Sequence, residues 1–295
     1  MSCFAGFEEI CQPDAPLANL TWYRLGGPAR WLLTPRNGDE LAAVLARCEQ
    51  HGVPWRVLGR GANVLVRDAG VDAAVIRLTG PVWEQVRWDA APLIYAAAGV
   101  DFPKLISQCV ERGLGGLENL AGIPGTVGGV VRMNAGGRYG EIGRYVRELR
   151  VMDGDGQIRP RAARDVGFAY RRTALDGCIL LGVTLALEPA DPAALRQRFK
   201  EIWEERAASQ PAVSGRTAGC VFKNPSADRP AGWLLDRCGL KGLRCGGAMI
   251  SEKHANFIIA GEGATSQNVI DLMARARDCV RREYGIELEP EIEIW

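Results

Sequence analysis

Ten glycines fall within the 28 residues from Gly113 to Gly140, and this density restricts the fold more than any other feature of the chain. Glycine inside a helix or strand weakens it by about 0.5–1 kcal/mol relative to alanine, so the run cannot form one long regular element. It is no loose linker either, because Leu, Val, Ala and Ile alternate with the glycines. The segment therefore reads as packed and rich in turns, where the backbone passes close to itself or to a ligand. Around it lie 295 residues, 47% apolar and 24% charged. At roughly 150 residues per domain this predicts two globular domains and excludes a fibrous or disordered chain.

Hydrophobic spacing supplies the elements. Leu41, Val44 and Leu45 within Asp39 to His51, with Gly52 after them, predict an amphipathic helix. Asp101 as cap and Pro103 in the first turn open a second helix over 101–112. Short β-like runs stand at 55–59, 63–66, 73–78 and 93–99, a hairpin turning on Gly154-Asp155-Gly156 at 148–160, and a long buried strand at 178–189. At Asp191-Pro192 a helix opens that presents Leu195, Phe199 and Ile202 and stops before Pro211. The remaining residues alternate strand and helix, the last helix being capped by Thr265. Strands outnumber helices in the first part, without the regular alternation of a doubly wound sheet, so the fold class is α+β. The expected organisation is a lead-in over 1–18, one domain over 19–190 and a smaller one over 191–295.

Several function classes are excluded early. With 36 basic against 35 acidic residues the net charge is +1, which provides no positive field for nucleic acid or an acidic membrane. No run approaches the ~18 apolar residues of a membrane span, and Glu8 and Glu9 stand where a secretory leader would be basic. Nine scattered cysteines without a CxxC pair support neither a disulfide framework nor a zinc site, and free thiols in a reducing cytoplasm are the simplest expectation. With His51 and His254 as the only histidines, metal and Ser-His-Asp chemistry are not expected.

Four segments could carry chemistry. Gly59-Arg60-Gly61-Ala62-Asn63 and Gly122-Ile123-Pro124-Gly125-Thr126-Val127-Gly128-Gly129 are glycine-rich loops. Each alone is a tight turn, whereas the two together suit a dinucleotide or a phosphate cradled by backbone N–H groups. Neither is a Rossmann or P-loop fingerprint. Phe168-Ala169-Tyr170-Arg171-Arg172-Thr173 is either a solvated turn or a site for an anionic planar group held by a guanidinium fork. In Ala218-Gly219-Cys220-Val221-Phe222-Lys223-Asn224-Pro225 the thiol is a packing residue or a proton donor, its ordinary pKa of ~8.5 falling beside cations. At the C-terminus, period two places Glu289, Glu291 and Glu293 on one strand face and Leu288, Ile292 and Ile294 on the other. That face is a wet edge or the source of an acid whose pKa its like-charged neighbours raise.

The ordered set LTWYRLGGPA (20–29), LGRGANVLVRDAG (58–70), GLENLAGIPGTVGGVVRMNAG (116–136), FAYRRT (168–173), AGCVFKNP (218–225), GLKG (239–242), SEKHANFI (251–258) and LEPEIEI (288–294) resembles the UDP-N-acetylenolpyruvoylglucosamine reductase family over nearly the whole chain from residue 19 to 294. The length resembles its shorter type, without the extra tyrosine loop. The resemblance implies an FAD-binding module of the vanillyl-alcohol-oxidase/PCMH type followed by a smaller substrate domain. It further implies non-covalent FAD held at Gly59, Arg60, Gly61, Ala62, Asn63, Gly122, Pro124, Gly125, Thr126, Gly128 and Gly129. NADPH would reduce the flavin and leave, and the enolpyruvyl ether of UDP-N-acetylglucosamine would enter the same pocket. Hydride from flavin N5 then adds to C3 and a proton to C2, giving UDP-N-acetylmuramate for peptidoglycan. Arg171 and Glu291 would stabilise charge developing on the carboxylate, Tyr170, Lys223 and Asn224 would line the substrate site, and no metal is implied. Cys220 stands where most members have a serine proton donor, and Ala62 where serine is more usual. Residues 58–66 contain neither His nor Cys, unlike related oxidases that tether flavin in this loop. A silent sensor would have no use for a proton donor.

Overall fold

A computed structural model describes residues 3–88, 90–211 and 216–295. Two compact units emerge, neither continuous in sequence: Met1–Pro13, Trp31–Gly59 and Ala73–Glu205 form the first, and Asp14–Arg30, Arg60–Asp72 and Arg206–Trp295 the second. This differs from an expected break at 190/191. Two early segments join the C-terminal unit: Tyr23 and Leu25 of the first are buried in its core, and a strand and a carboxylate of the second are satisfied there. Val64–Leu65 pairs in parallel with Glu293–Ile294, and the Asp68 carboxylate accepts the Ser266 N–H at 3.0 Å and the Gln267 N–H at 3.3 Å.

The described residues form six α-helices: α1 Gly38–Gln50, α2 Phe102–Glu111, α3 Val127–Arg132, α4 Pro192–Ser209, α5 Ala231–Arg237 and α6 Ser266–Tyr284. Local signals account for them. Asn37 caps α1, which buries Leu41, Val44, Leu45 and Cys48 at helical spacing. Asp101 caps α2 with proline in the first turn, and the Asp191 carboxylate accepts the N–H groups of Ala193 and Ala194 where α4 begins. Thr265 and Asn268 form a capping box on α6, which ends at the left-handed Gly285.

The first unit holds a five-stranded antiparallel sheet in the order Ile158–Ala162, Val146–Asp153, Cys178–Ala186, Leu93–Ala97, Val86–Arg87. A four-stranded sheet runs Cys11–Pro16, Pro28–Leu33, Val71–Ile76, Trp55–Val57. The first eighteen residues are more than a lead-in. Phe4, 2% exposed, packs edge-on against Trp31 at 5.4 Å, and Ile10 enters the same core. The glycine-dense stretch is packed as expected, burying Leu117, Leu120, Ile123, Val127, Val130 and Val131. In the second unit α5 and α6 pack with a three-stranded sheet, Arg244–Cys245, Ala248–Ile250 and Ile258–Ala260.

Candidate active site

Extended backbone from three parts of the second unit brings two of the expected site residues together. Residues 220–223 lie in the middle. On one edge Cys220 bridges Phe257 and the Val221 N–H donates to the Asn256 carbonyl at 2.9 Å. On the other, Phe222 bridges Pro290, the Lys223 N–H donates to the Glu289 carbonyl at 2.9 Å, and the Glu291 N–H donates to the Val221 carbonyl at 2.8 Å. Sequence spacing suggests a strand here. Isolated bridges form instead, since Pro290 has no N–H to extend a ladder and Pro225 ends the run.

Cys220 and Glu291 thus flank Val221, and both are half-buried. Of the tail carboxylates, Glu289 forms an ion pair with Lys223 at 2.5 Å and Glu293 is exposed, so Glu291 is the one drawn inward. Its carbonyl accepts the Asn63 side-chain N–H at 3.0 Å, and the Glu293 N–H donates to the Asn63 carbonyl at 2.9 Å. Asn63, expected as a flavin contact, therefore ties the first glycine loop to the Glu291 strand. Asn224 carries a structural bond as well, its Oδ1 accepting the Ala231 N–H at 3.0 Å where α5 begins.

In the first unit, Ala169 and Arg172 exchange two backbone hydrogen bonds, of 2.9 and 3.1 Å, around a tight turn. Arg171 takes the left-handed conformation (φ +55°) within it, a strained state for a non-glycine residue and one that concentrates at functional sites. Its Nη2 donates to the Gly136 carbonyl at 3.0 Å, and its guanidinium lies 5.2 Å from the centre of the exposed Tyr170 ring. Two side chains brace the turn. The fully buried Asn134 donates to the Ala169 carbonyl at 2.9 Å and accepts the Gly143 N–H at 3.0 Å, while the Thr173 hydroxyl donates to the Arg132 carbonyl at 2.7 Å.

Gly59, the first residue of one glycine loop, meets the other loop within the same unit. A Cβ on Gly59 would lie 2.7 Å from the Thr126 hydroxyl, too close for any residue but glycine. Thr126 itself caps α3 by accepting the Gly129 N–H at 3.3 Å. This close approach fits a cradle for a dinucleotide diphosphate, with one refinement. The Val127 and Gly128 N–H groups donate to the Val100 and Ala98 carbonyls at 2.8 Å, that of Gly129 serves the cap, and Pro124 has none. A phosphate held by this loop must draw on its other amides.

Asn134 and Asn256 emerge as site-supporting residues that spacing alone does not single out; the available signal is an asparagine inserted among small and apolar residues, as in MNAG and HANF. The buried thiols behave as packing groups, burial pushing Cys48 and Cys109 up to about 12.

Residues 29–160 match the FAD binding domain family, and residues 210–295 match the family described as UDP-N-acetylenolpyruvoylglucosamine reductase, C-terminal domain. The UDP-N-acetylenolpyruvoylglucosamine reductase 2 of Symbiobacterium thermophilum is 42% identical over 282 residues, covering 95% of this chain and 90% of its own. That of Moorella thermoacetica is 42% identical over 283 residues, covering 96% and 92%. The crystal structure of the Thermus caldophilus enzyme superposes with a TM-score of 0.82 at 37% identity, covering 97% of this chain and 98% of that one. A variant of Phl p 4, a glucose oxidase, shares the fold alone, with a TM-score of 0.51 at 15% identity over 64% of this chain and 44% of that one. An FAD-binding domain of this architecture joined to such a C-terminal domain defines a flavin-dependent oxidoreductase. The chain belongs to the UDP-N-acetylenolpyruvoylglucosamine reductase family.

Proposed function

We propose that this chain reduces the enolpyruvyl ether of UDP-N-acetylglucosamine to UDP-N-acetylmuramate for peptidoglycan synthesis, with FAD as cofactor and NADPH as reductant. The observation that carries the reading is the 2.8 Å backbone bond from the Glu291 N–H to the carbonyl of Val221, the residue next to Cys220, on a chain whose relatives bear this enzyme's name along their length. Bound FAD, once reduced by NADPH, supplies the hydride that reaches C3. The protein's own groups manage charge and protons. Arg171 holds the substrate carboxylate through its guanidinium fork, and Glu291, in its acid form, donates a hydrogen bond to the charge that develops there. The Cys220 thiol delivers a proton to C2 and is left as a thiolate to be reprotonated from solvent.

In this reading the first unit supplies Gly59 and the second glycine loop to FAD and Tyr170 and Arg171 to the substrate, while the second unit supplies Arg60, Gly61 and Ala62 to FAD and Cys220, Lys223, Asn224 and Glu291 to the substrate. Gly59, Arg60, Gly61, Ala62 and the amides of Gly122, Gly125 and Thr126 hold FAD without a covalent bond, while Pro124, Gly128 and Gly129 shape its loop. Tyr170, Lys223 and Asn224 line the substrate site. NADPH and the enolpyruvyl substrate use one pocket in turn, and the reaction takes place in the cytoplasm. Among the described residues no helix is long and apolar enough to cross a membrane. An anaerobic absorbance titration tests the whole scheme. NADPH should bleach the flavin band and UDP-N-acetylglucosamine enolpyruvate should restore it without oxygen. A flavin that recovers only when oxygen is admitted would point to an oxidase and sink the reading.

A further inference from the structure

We infer that Asn256 is a positioning residue that sets the register of the Cys220–Lys223 run, and through it the placement of Cys220 and Glu291; the inference rests on the roles proposed above for those two groups. Asn256 is 1% exposed. Its carboxamide oxygen accepts the Phe222 N–H at 3.0 Å and its Nδ2 donates to the Phe222 carbonyl at 2.8 Å, while its own carbonyl accepts the Val221 N–H at 2.9 Å. A carboxamide presents an N–H donor and a carbonyl acceptor at peptide spacing, so this side chain acts as the strand neighbour that the isolated Cys220–Phe257 bridge does not supply. The opposite edge of the run holds Glu291 through Val221. One asparagine therefore fixes the run on which both acids depend. No aliphatic residue of this size could satisfy the two buried Phe222 groups, and leaving them unpaired is costly.

The titratable group beside Asn256 is His254, whose Nδ1 accepts the Asn256 N–H at 3.2 Å. Burial, with Lys241 nearby, depresses the His254 pKa and favours the neutral ring this bond needs. Cys220, Glu291 and the Lys223–Glu289 pair belong to the run that Asn256 holds and its far edge.

Asn256→Asp in the FAD-loaded enzyme makes the idea testable without removing the side chain. As a carboxylic acid the new group still accepts from the Phe222 N–H and donates to its carbonyl; as a carboxylate it loses the donor and sets charge against that carbonyl. Full burial can raise a carboxyl pKa by up to about 3–5, which brings its titration toward neutrality. Relative to the parent enzyme, substrate-driven flavin reoxidation should fall about 100-fold above the new titration, the order that misplacement by ~1 Å produces. It should recover as pH is lowered through it. NADPH-driven flavin reduction should stay within about twofold. The ratio to the parent cancels the titration of His254 and of the thiol itself.

A second readout, iodoacetamide labelling of Cys220 followed by peptide mass spectrometry, reports the thiol's placement without turnover. Its variant-to-parent ratio should change across the same pH range. Ratios flat with pH in both readouts, or an equal loss in both half-reactions, overturn the inference. Altered labelling with unaltered reoxidation supports the positioning and overturns the proton-donor role of Cys220 instead. Should the aspartate variant fail to load FAD, Asn256→Gln serves as the second variant, its longer arm displacing Phe222 and expected to change both ratios at every pH; unchanged ratios there overturn the inference.

Discussion

Residue 220 carries a thiol, and a thiol and an alcohol differ in acidity far more than in size. A thiol of ordinary pKa ~8.5 gives up a proton many orders of magnitude more readily than a hydroxyl, and its thiolate is a nucleophile. In the reading advanced here, Cys220→Ala should slow substrate-driven flavin reoxidation about 10²–10⁴-fold, the usual worth of a general acid, and leave flavin reduction by NADPH unchanged. Cys220→Ser should retain turnover while losing any sensitivity to iodoacetamide that tracks activity. Stopped-flow measurement of the two half-reactions separates these outcomes, and full reoxidation by the alanine variant would remove Cys220 from the mechanism. Cys220, Arg171 and Glu291 stand out in the sequence only through the resemblance carried by an ordered set of short runs, each of them weak by itself. The left-handed turn at Arg171 and the braces Asn134 and Asn256 do not stand out. A bracing asparagine is defined by backbone groups far away in sequence, 34 residues away for Asn256, and nothing local announces them.

Elements built from local chemistry were the legible ones. The caps at Asp101, Asp191 and Thr265 and the turn in the 146–162 hairpin follow from residues within a few positions. Pairing between distant runs did not follow, and the parallel match of Val64–Leu65 with Glu293–Ile294 is the clearest case. Asp68 belongs to the same class of long-range bond. It sits 198 residues before Ser266, yet it accepts two N–H groups at the start of α6 while the Ser266 hydroxyl accepts the Asp68 N–H at 2.9 Å. Burial alone would raise the Asp68 carboxyl, but its bonds to Ser266 and Gln267 prevail and hold it below its ordinary 3.8. A carboxyl depressed in the folded state contributes stability that is present above its unfolded pKa and lost as pH falls through the folded value. Asp68→Asn should therefore cost about 1 kcal/mol near neutrality, with the gap to the parent closing as pH drops below about 4. Urea unfolding of both proteins across that range checks it, and a gap that stays constant with pH would show that the charge is irrelevant to the cap.

On the scale of the whole chain, the backbone passes between the two units five times, the fifth passage opening the C-terminal segment, so the second unit's core is assembled from pieces far apart in sequence. Tyr23 and Leu65 are fully buried in that core and Leu25 is 7% exposed, alongside Val221, Phe222, Leu234, Leu272 and Val280 from the C-terminal segment. Each such side chain contributes about 1.5–3 kcal/mol when buried. The three early ones together account for about 4.5–9 kcal/mol, on the scale of the ~5–15 kcal/mol that holds a whole domain folded. Removing them also leaves Glu293–Ile294 without its strand partner and α6 without the Asp68 cap. Residues 206–295 expressed alone should therefore lack the cooperative urea transition that the full chain shows, and should expose apolar surface to a dye such as ANS. The C-terminal family match over 210–295 marks a unit of sequence similarity, and physically it is two short segments short of a complete core. A sharp two-state transition from the isolated fragment would mean that 14–30 and 60–72 merely rest against a core the C-terminal segment completes by itself. A fragment that turns cooperative only when those segments are supplied in trans would locate the missing stability in Tyr23, Leu25 and Leu65.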